Sequence, residues 1–224
     1  MEFARMNSPA FDRNKHIYRN DDFVELVKDA VRFFNGTPVH ELPPLGAFRG
    51  TGIYAIYCIA KTGPYQAYGE LNRLAYNHPI YVGKAVPKGW RQSRTSNDVS
   101  STSAELHSRL REHSRSISST FEFDRTGLEL SDFKCRFAIL EGDTSDMIGT
   151  IEAALIKLHR PLWNTTLDGF GNHDPGKGRY QQARSDWDVI HPGRAWAEKC
   201  QGTANHRDTI LERINTHLSS VDTL

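Results

Sequence analysis

The sequence has few cysteines and no C-x-x-C pair, and both absences exclude classes of protein. Cys58, Cys135 and Cys200 are odd in number and far apart, which favours neither a disulfide framework nor a zinc knuckle. We therefore predict reduced, mostly buried thiols in a cytoplasmic protein. Long apolar runs are also absent, so we expect no membrane-spanning helix, no apolar signal-peptide segment and no membrane partner.

Net charge carries little information, because the formal value is only +1. The distribution of charge says more: residues 84–115 contain seven Lys or Arg against three Asp or Glu, and residues 120–152 contain three against eight. A basic stretch beside an acidic one suits a protein that holds both a polyanion and a cation. On charge alone, two ordinary solvated faces are the better explanation.

Apolar periodicity predicts an alternation of helices and short strands. Helices are expected over residues 21–34, 103–117, 147–159 and 205–219. Strands are expected over residues 51–60, 79–83 and 133–141. Asp21 is the expected cap of the first helix, and Thr102 with Glu105 forms a capping box for the second. Segments 38–50, 61–77, 87–101 and 165–193 are expected to be connections or loops, since they are rich in glycine, proline or polar residues.

Two tripeptides fall on predicted strands, Gly52-Ile53-Tyr54 and Tyr81-Val82-Gly83. Alternate side chains of a strand share a face, so Ile53 can enter the core while Tyr54 points to the other side. Each tripeptide alone is weak evidence of function, since tyrosine is a common strand residue.

The helix that follows carries Arg109 and His113, which are four residues apart and so lie on the same side. Both flank the apolar stripe of Leu106, Leu110 and Ile117. Considered alone, the pair is better explained as an arginine and a histidine that solvate the flank of a helix.

Glu152 also borders a buried helix face, that of Ile148 and Leu155. A carboxylate beside a core needs a partner, because unpaired burial is costly. Arg136 or Arg160 could be that partner. A divalent cation is the alternative, since Mg²⁺ usually takes only one or two protein carboxylates.

Taken in order, the two tripeptides, Arg109 with His113, Glu152 and finally Asn164 resemble the signature of the GIY-YIG nuclease family. The long insertions make the chain most similar to the Type II restriction endonucleases of that family. Val82 stands where isoleucine is usual, which has no physical cost. The 26 residues from Ala55 to Ile80 leave the pairing register of the two strands open.

The resemblance implies an α+β fold with a small three-stranded, mostly antiparallel sheet flanked by helices. The nuclease core would span residues 50–166, with enlarged loops at 61–78 and 85–102. Residues 1–49 would form an N-terminal helical arm, and residues 167–224 a C-terminal extension for DNA contact or dimerisation. Residues 1–5 include Glu2-Phe3, which a common cloning site encodes, so we expect them to be vector-derived.

The resemblance also implies phosphodiester hydrolysis with one divalent ion, Mg²⁺ or in its place Mn²⁺, held by Glu152. Arg109 would hold the scissile phosphate. Tyr54 is the expected general base; its ordinary pKa is about 10, so it needs help from His113, which would accept the proton, from Arg109 and from the metal. Tyr81 would position the water or the phosphate, or exchange roles with Tyr54. Two further site residues are expected: Lys84 to assist electrostatically, and Asn164 to brace the site by hydrogen bonds.

Base recognition is expected from segments that offer arginine, lysine, asparagine or glutamine to the major groove, namely residues 66–77, 88–94 and 177–184. Cutting both strands of a palindromic site implies a homodimer on double-stranded DNA. Three alternatives remain: a monomeric nicking or repair nuclease, a non-catalytic DNA-binding module, and a zinc protein. The last would use His173, His191, Cys200 and His206, whose spacing matches no usual zinc pattern.

Overall fold

The computed structural model describes residues 11–87, residue 90 and residues 103–221. The α-helices in these ranges are α1 (Asp21–Gly36), α2 (Gln66–Leu71), α3 (Glu105–Phe123), α4 (Ile148–His159), α5 (Leu162–Thr165), α6 (Asp186–Ile190) and α7 (Arg207–Val221). The β-strands are β1 (Val39–Glu41), β2 (Gly52–Cys58), β3 (Tyr81–Ala85) and β4 (Phe133–Ile139). In this described part of the chain, no helix combines the length and the apolar character needed to cross a membrane.

The strands form one antiparallel sheet in the order β1-β4-β2-β3. The predicted α+β class is confirmed, but the predicted three strands are wrong, because the sheet has four. The additional strand is β1, in which Val39 pairs with Arg136 and Glu41 with Lys134. Three residues are too few to show alternation, and they lie in a stretch whose prolines and glycines indicated a connection. Pairing with β4 makes this stretch a strand.

The sheet separates two layers of packing. Ile53 and Tyr57 of β2 face a cluster that includes Phe34 of α1 and Ile151 of α4. Tyr54 belongs to the cluster on the opposite face, with α3 and the C-terminal elements. Every residue of β2 is buried, as expected for a central strand covered on both faces. The alternation of β2 therefore sends Tyr54 toward α3 and Ile53 away from it.

The structure fixes the register that the sequence left open. Tyr54 pairs with Gly83 and Ile53 pairs with Lys84 across the two antiparallel strands. A side chain at Gly83 would collide with the ring and hydroxyl of Tyr54, so glycine is required where that ring crosses β3. The two tripeptides are thus directly hydrogen-bonded neighbours.

The ends of the helices differ in detail from the sequence predictions. Asn20, not Asp21, caps α1, and its side chain accepts a hydrogen bond from the Phe23 amide at 3.1 Å. Helix α3 begins at Glu105, whose amide donates to Ser103 Oγ at 3.3 Å. Thr102 of the expected capping box lies outside the described residues, as do residues 1–5 and, except for residue 90, segment 88–94. Helices α2 and α6 lie in segments that were expected to be loops.

The residues that follow α5 complete the core on the α3 side of the sheet. Phe170, Trp187 of α6, and Ile210 with Ile214 of α7 are all buried in the same cluster as Tyr54 and Leu110. The C-terminal quarter of the chain therefore contributes to this half of the core, and some of its side chains pack near Tyr54.

Candidate active site

The centre of the candidate site is a hydrogen bond between Tyr54 and His113. The Tyr54 hydroxyl lies 2.7 Å from His113 Nε2, and both side chains are buried. Tyr54 comes from β2, which is rigid because it pairs on both sides, and His113 comes from the buried stripe of α3. The two motifs are thereby brought into direct contact.

Tyr81 lies beside this pair. Its ring centroid is 6.2 Å from that of Tyr54 and 5.2 Å from that of His113. Tyr81 is 9% exposed, whereas Tyr54 is 0% exposed. Of the two phenols, Tyr81 is therefore the one that solvent reaches.

Arg109 lies one helical turn before His113, and its guanidinium group contacts Glu112, His173 and Gly171 as well as the two tyrosines. Nη1 donates to Glu112 Oε2 at 2.7 Å and lies 2.6 Å from His173 Nε2, and Nη2 donates to the Gly171 carbonyl at 2.5 Å. Its side chain is only 16% exposed. The cation is therefore held in a defined orientation next to the tyrosines.

Glu152 and Lys84 form an ion pair on the other face of the sheet. Lys84 Nζ donates to Glu152 Oε2 at 2.5 Å. Lys84 is thus the observed partner of Glu152, whereas Arg136, one of the two arginines considered for that role, donates to the Tyr76 carbonyl. Because Lys84 and Tyr81 both belong to the edge strand β3, the ion pair and the tyrosines meet across that strand.

Asn164 lies at the outer edge of β3. Its Oδ1 accepts from the Val82 amide at 2.7 Å, and its Nδ2 donates to the Val82 carbonyl at 2.8 Å. The side-chain amide thus satisfies both backbone groups of one residue. It holds β3 at the position between Tyr81 and Gly83.

Burial sets the protonation states of the central pair. Desolvation, with a smaller contribution from Tyr81, raises the pKa of Tyr54 well above its ordinary value, although the charge of Arg109 opposes this shift. Desolvation and then the positive charge of Arg109 lower the pKa of His113 well below its ordinary value. At neutral pH a protonated phenol therefore faces a neutral imidazole, which can accept a hydrogen bond from it.

The pKa of Tyr81 is also raised. Desolvation is the main cause, the charge of Arg109 opposes it, and the negative charge of Glu152 adds to it. Glu152 is thus close enough to act on the tyrosines electrostatically, although it lies on the other face of the sheet.

In the segments predicted to read bases, some polar side chains already have partners within the protein and others are exposed. Asn72 is buried, and its amide group is committed to the backbone of Cys58 and His78. Arg184 pairs with Glu198 at 3.3 Å. Among the described residues of these segments, the exposed basic side chains are Arg73, Lys177 and Arg179.

The zinc alternative gains no support from the geometry. His191 is buried against the Tyr65 hydroxyl at 2.6 Å, whereas His173 lies on Arg109. Within residues 11–87, 90 and 103–221, no three histidine, cysteine, aspartate or glutamate side chains form a group that could hold a metal ion.

Sequence reasoning missed the contribution of residues 169–173, which were treated as a loop. The Phe170 ring stacks on His113 with centroids 4.5 Å apart, and Gly171 and His173 contact Arg109. The signal that could have indicated this is the glycine–aromatic–glycine run that follows soon after Asn164.

Comparison with known families gives a match that covers most of the chain. The sequence model described as the Eco29kI GIY-YIG domain matches residues 46–218. The matched range includes every candidate site residue discussed above, as well as the C-terminal elements that complete the core. No curated protein is significantly similar to the chain.

Proposed function

Because this chain belongs to the Eco29kI GIY-YIG domain family of Type II restriction endonucleases, we propose that it cuts double-stranded DNA at a specific sequence. The resemblance predicted from the order of the motifs is confirmed, and membership of the family implies DNA endonuclease activity. The observation that carries the proposed mechanism is the buried Tyr54–His113 hydrogen bond beside the Arg109 guanidinium.

Tyr54 is proposed as the general base and His113 as the acceptor of its proton. Stepwise transfer would leave a buried phenolate facing a buried imidazolium, which the raised pKa of Tyr54 and the lowered pKa of His113 both disfavour. The phenol therefore takes the proton of the attacking water as it passes its own proton to His113. Tyr81, the less buried of the two phenols, is proposed to hold that water or the phosphate.

Arg109 is proposed to bind the scissile phosphate. Charge develops on the phosphoryl oxygens as the water attacks, and a guanidinium held in place stabilises it without reorganisation. Stabilisation of this kind is typically worth ~10²–10³ in rate. The restrained orientation of Arg109 supports this role.

Nucleases of this family are typically metal-dependent, and one Mg²⁺ or Mn²⁺ ion is part of the proposal. Glu152 offers a carboxylate with 17% side-chain exposure, and Mg²⁺ commonly completes one or two carboxylates with waters and phosphate oxygens. Glu152 would hold the ion, which would relieve charge on the phosphoryl and leaving oxygens. Lys84, paired with Glu152, is proposed to add positive charge at the same phosphate.

A homodimer on a palindromic site is part of the proposal, because one copy of the site cuts one strand at a time. Helix α1 supports this, since it exposes apolar side chains that a partner subunit could cover. Those side chains are Phe23, Leu26 and Phe33.

The test is digestion of a supercoiled plasmid of known sequence with the full chain and Mg²⁺. We expect discrete linear fragments whose ends all carry one sequence. The matched control is Glu152→Gln, which removes the only proposed charged ligand of the ion while preserving side-chain size. It should bind the cognate fragment in a gel-shift assay without cutting it.

Each other outcome contradicts a part of the proposal. Nicked circles alone would indicate a monomeric nicking or repair nuclease. Binding by the unaltered chain without any cleavage would indicate a DNA-binding module. Near-normal cutting by Glu152→Gln would refute the assignment of the metal to Glu152.

A further inference from the structure

Residues 169–173 cross the candidate active site and contact three of its side chains. The Phe170 ring lies 4.5 Å from that of His113 and 4.9 Å from that of Tyr81, centroid to centroid. A Cβ at Gly171 would lie 2.5 Å from the Tyr81 hydroxyl, which shows how closely the backbone approaches. The segment is therefore part of the wall of the site.

The same segment determines which donors of Arg109 remain for a substrate. A guanidinium has five N–H groups. Glu112 and His173 engage Nη1, and the Gly171 carbonyl engages Nη2. Side-chain hydrogen bonds with Arg109 also act on Tyr54 and Tyr81, so the rest of the guanidinium is directed at the two tyrosines. The charge of Arg109 acts on both Tyr54 and Tyr81, so the restrained cation faces the proposed reacting groups.

Arg194 holds the segment in place from behind. It is 5% exposed and donates to the carbonyls of Gly169, Phe170 and Asn172 at 2.9–3.2 Å. The carbonyl of Gly171, the residue that Arg194 omits, is the one that accepts from Arg109. The segment therefore lies between two arginines, and its backbone carbonyls accept hydrogen bonds from both.

His173 differs from the other partners of Arg109 because its side chain is 64% exposed. Desolvation and then the charge of Arg109 lower its pKa, so that the imidazole is neutral at neutral pH. A neutral ring can accept from Nη1 without cancelling the charge of the guanidinium, which the carboxylate of Glu112 partly does. The contact restrains the arginine and leaves its charge for a phosphate.

We propose that His173 is a positioning residue for DNA cleavage, and that it acts through Arg109 by fixing Nη1 while Gly171 fixes Nη2. The inference rests on the proposed nuclease function. It goes further in assigning a catalytic contribution to the segment that follows Asn164, outside the five motif positions. Its rival is a surface contact with no effect on the reaction.

The experiment compares His173→Ala with His173→Gln on the cognate DNA fragment, at saturating enzyme. The alanine variant should lose roughly 10- to 100-fold in single-turnover cleavage rate, because small misplacements of a catalytic group cost this much. The dissociation constant for DNA should stay within about threefold, since the charge of Arg109 is retained. The glutamine variant keeps an acceptor at the reach of Nε2 and should recover most of the rate.

The matched control is His206→Ala, which removes another exposed histidine of the C-terminal region and should cut like the unaltered chain. Thermal melting verifies that all variants fold. Full activity of His173→Ala, or a loss that His173→Gln does not repair, would overturn the inference while the nuclease function stands. Failure of the unaltered chain to cut any DNA would overturn both.

Discussion

At the scale of single residues, the two tyrosines differ in their contacts and burial, and the roles proposed for them follow this difference. Tyr54 contacts the proton acceptor His113 but is closed to solvent, whereas Tyr81 is partly open to it. A base needs an acceptor for its own proton, and a water-positioning group needs access to water. On this ground we propose Tyr54 as the base and Tyr81 as the positioning group.

Tyr54→Phe should produce a nearly inactive enzyme. The change removes one oxygen and preserves the ring that packs over Gly83, so the fold and DNA binding should persist. General-base catalysis typically contributes ~10²–10⁴ in rate, and we expect a loss in that range from single-turnover cleavage. Tyr81→Phe should lose less.

If Tyr81→Phe lost more activity than Tyr54→Phe, Tyr81 would be the base and Tyr54 the positioning group. If both phenylalanine variants remained active, neither phenol would be the base, and His113 would become the leading candidate. Circular dichroism and gel shift on both variants separate a chemical loss from a folding or binding loss.

The site residues that could be predicted from sequence are those whose spacing reports the fold. The family resemblance supplied Tyr54, Tyr81, Arg109, His113 and Glu152 as candidates. Periodicity placed Tyr54 opposite Ile53 and placed Arg109, His113 and Glu152 beside buried stripes. The Gly171 carbonyl and His173 could not be predicted in this way. Their positions depend on backbone hydrogen bonds to Arg194, a residue more than twenty positions later, and no local pattern reports such contacts.

At the scale of elements, the wall formed by residues 169–173 depends on a single buried ion pair. Arg194 makes two hydrogen bonds to Asp188 of α6, at 2.7 and 2.8 Å, and lies over the rings of Trp187 and Trp196. Asp188 is 1% exposed. Helix α6 is short, so this pair and the burial of Trp187 hold it against the core.

Arg194→Met should therefore destabilise the protein strongly. It keeps the length of an apolar side chain but leaves Asp188 buried without its cation, and breaking a buried pair in this way costs about 3–5 kcal/mol. The free energy of unfolding from urea titration measures the effect. Arg184→Met is the matched control, because its pair with Glu198 is exposed and should contribute less than about 1 kcal/mol. Equal losses for the two variants would refute the bracing role of Arg194.

Long helices and strands could be predicted from the sequence, whereas short ones could not. The long helices and the three longer strands were indicated by apolar periodicity. Strand β1 and helices α2 and α6 have between three and six residues each, so they complete less than two turns or two alternations. Tertiary contacts create such short elements, and composition alone favours loops for them.

At the scale of the whole molecule, histidines are buried in the neutral form on the α3 side of the sheet. Desolvation lowers the pKa of His191 to about 3, and desolvation with the charge of Arg109 lowers that of His113. An unfolded chain takes up protons on these rings below about pH 6.5, whereas the folded chain does not. Stability is therefore retained above pH 6.5 and is lost as the pH falls toward the lowered values.

The free energy of unfolding should decrease between pH 7.5 and pH 5.5. His191 alone should contribute a decrease of about 1.4 kcal/mol at one pH unit below its unfolded pKa. Urea titrations at the two pH values measure this decrease, and His191→Gln should reduce it by about that amount. The exposed control His206→Gln should behave like the unaltered chain. The same pH dependence in His191→Gln and the unaltered chain would show that His191 is not the source.

The contact between Asn164 and Val82 has a consequence for how separate molecules behave. Strand β3 is an edge of the sheet, and an uncovered edge can pair with a strand of another chain and begin aggregation. The Asn164 amide occupies both outward backbone groups of Val82, and the Trp163 amide occupies the Ile80 carbonyl at 2.9 Å. Residues at the start of α5 thus cover the β3 edge at Ile80 and Val82, and they oppose extension of the sheet there by a strand of another molecule.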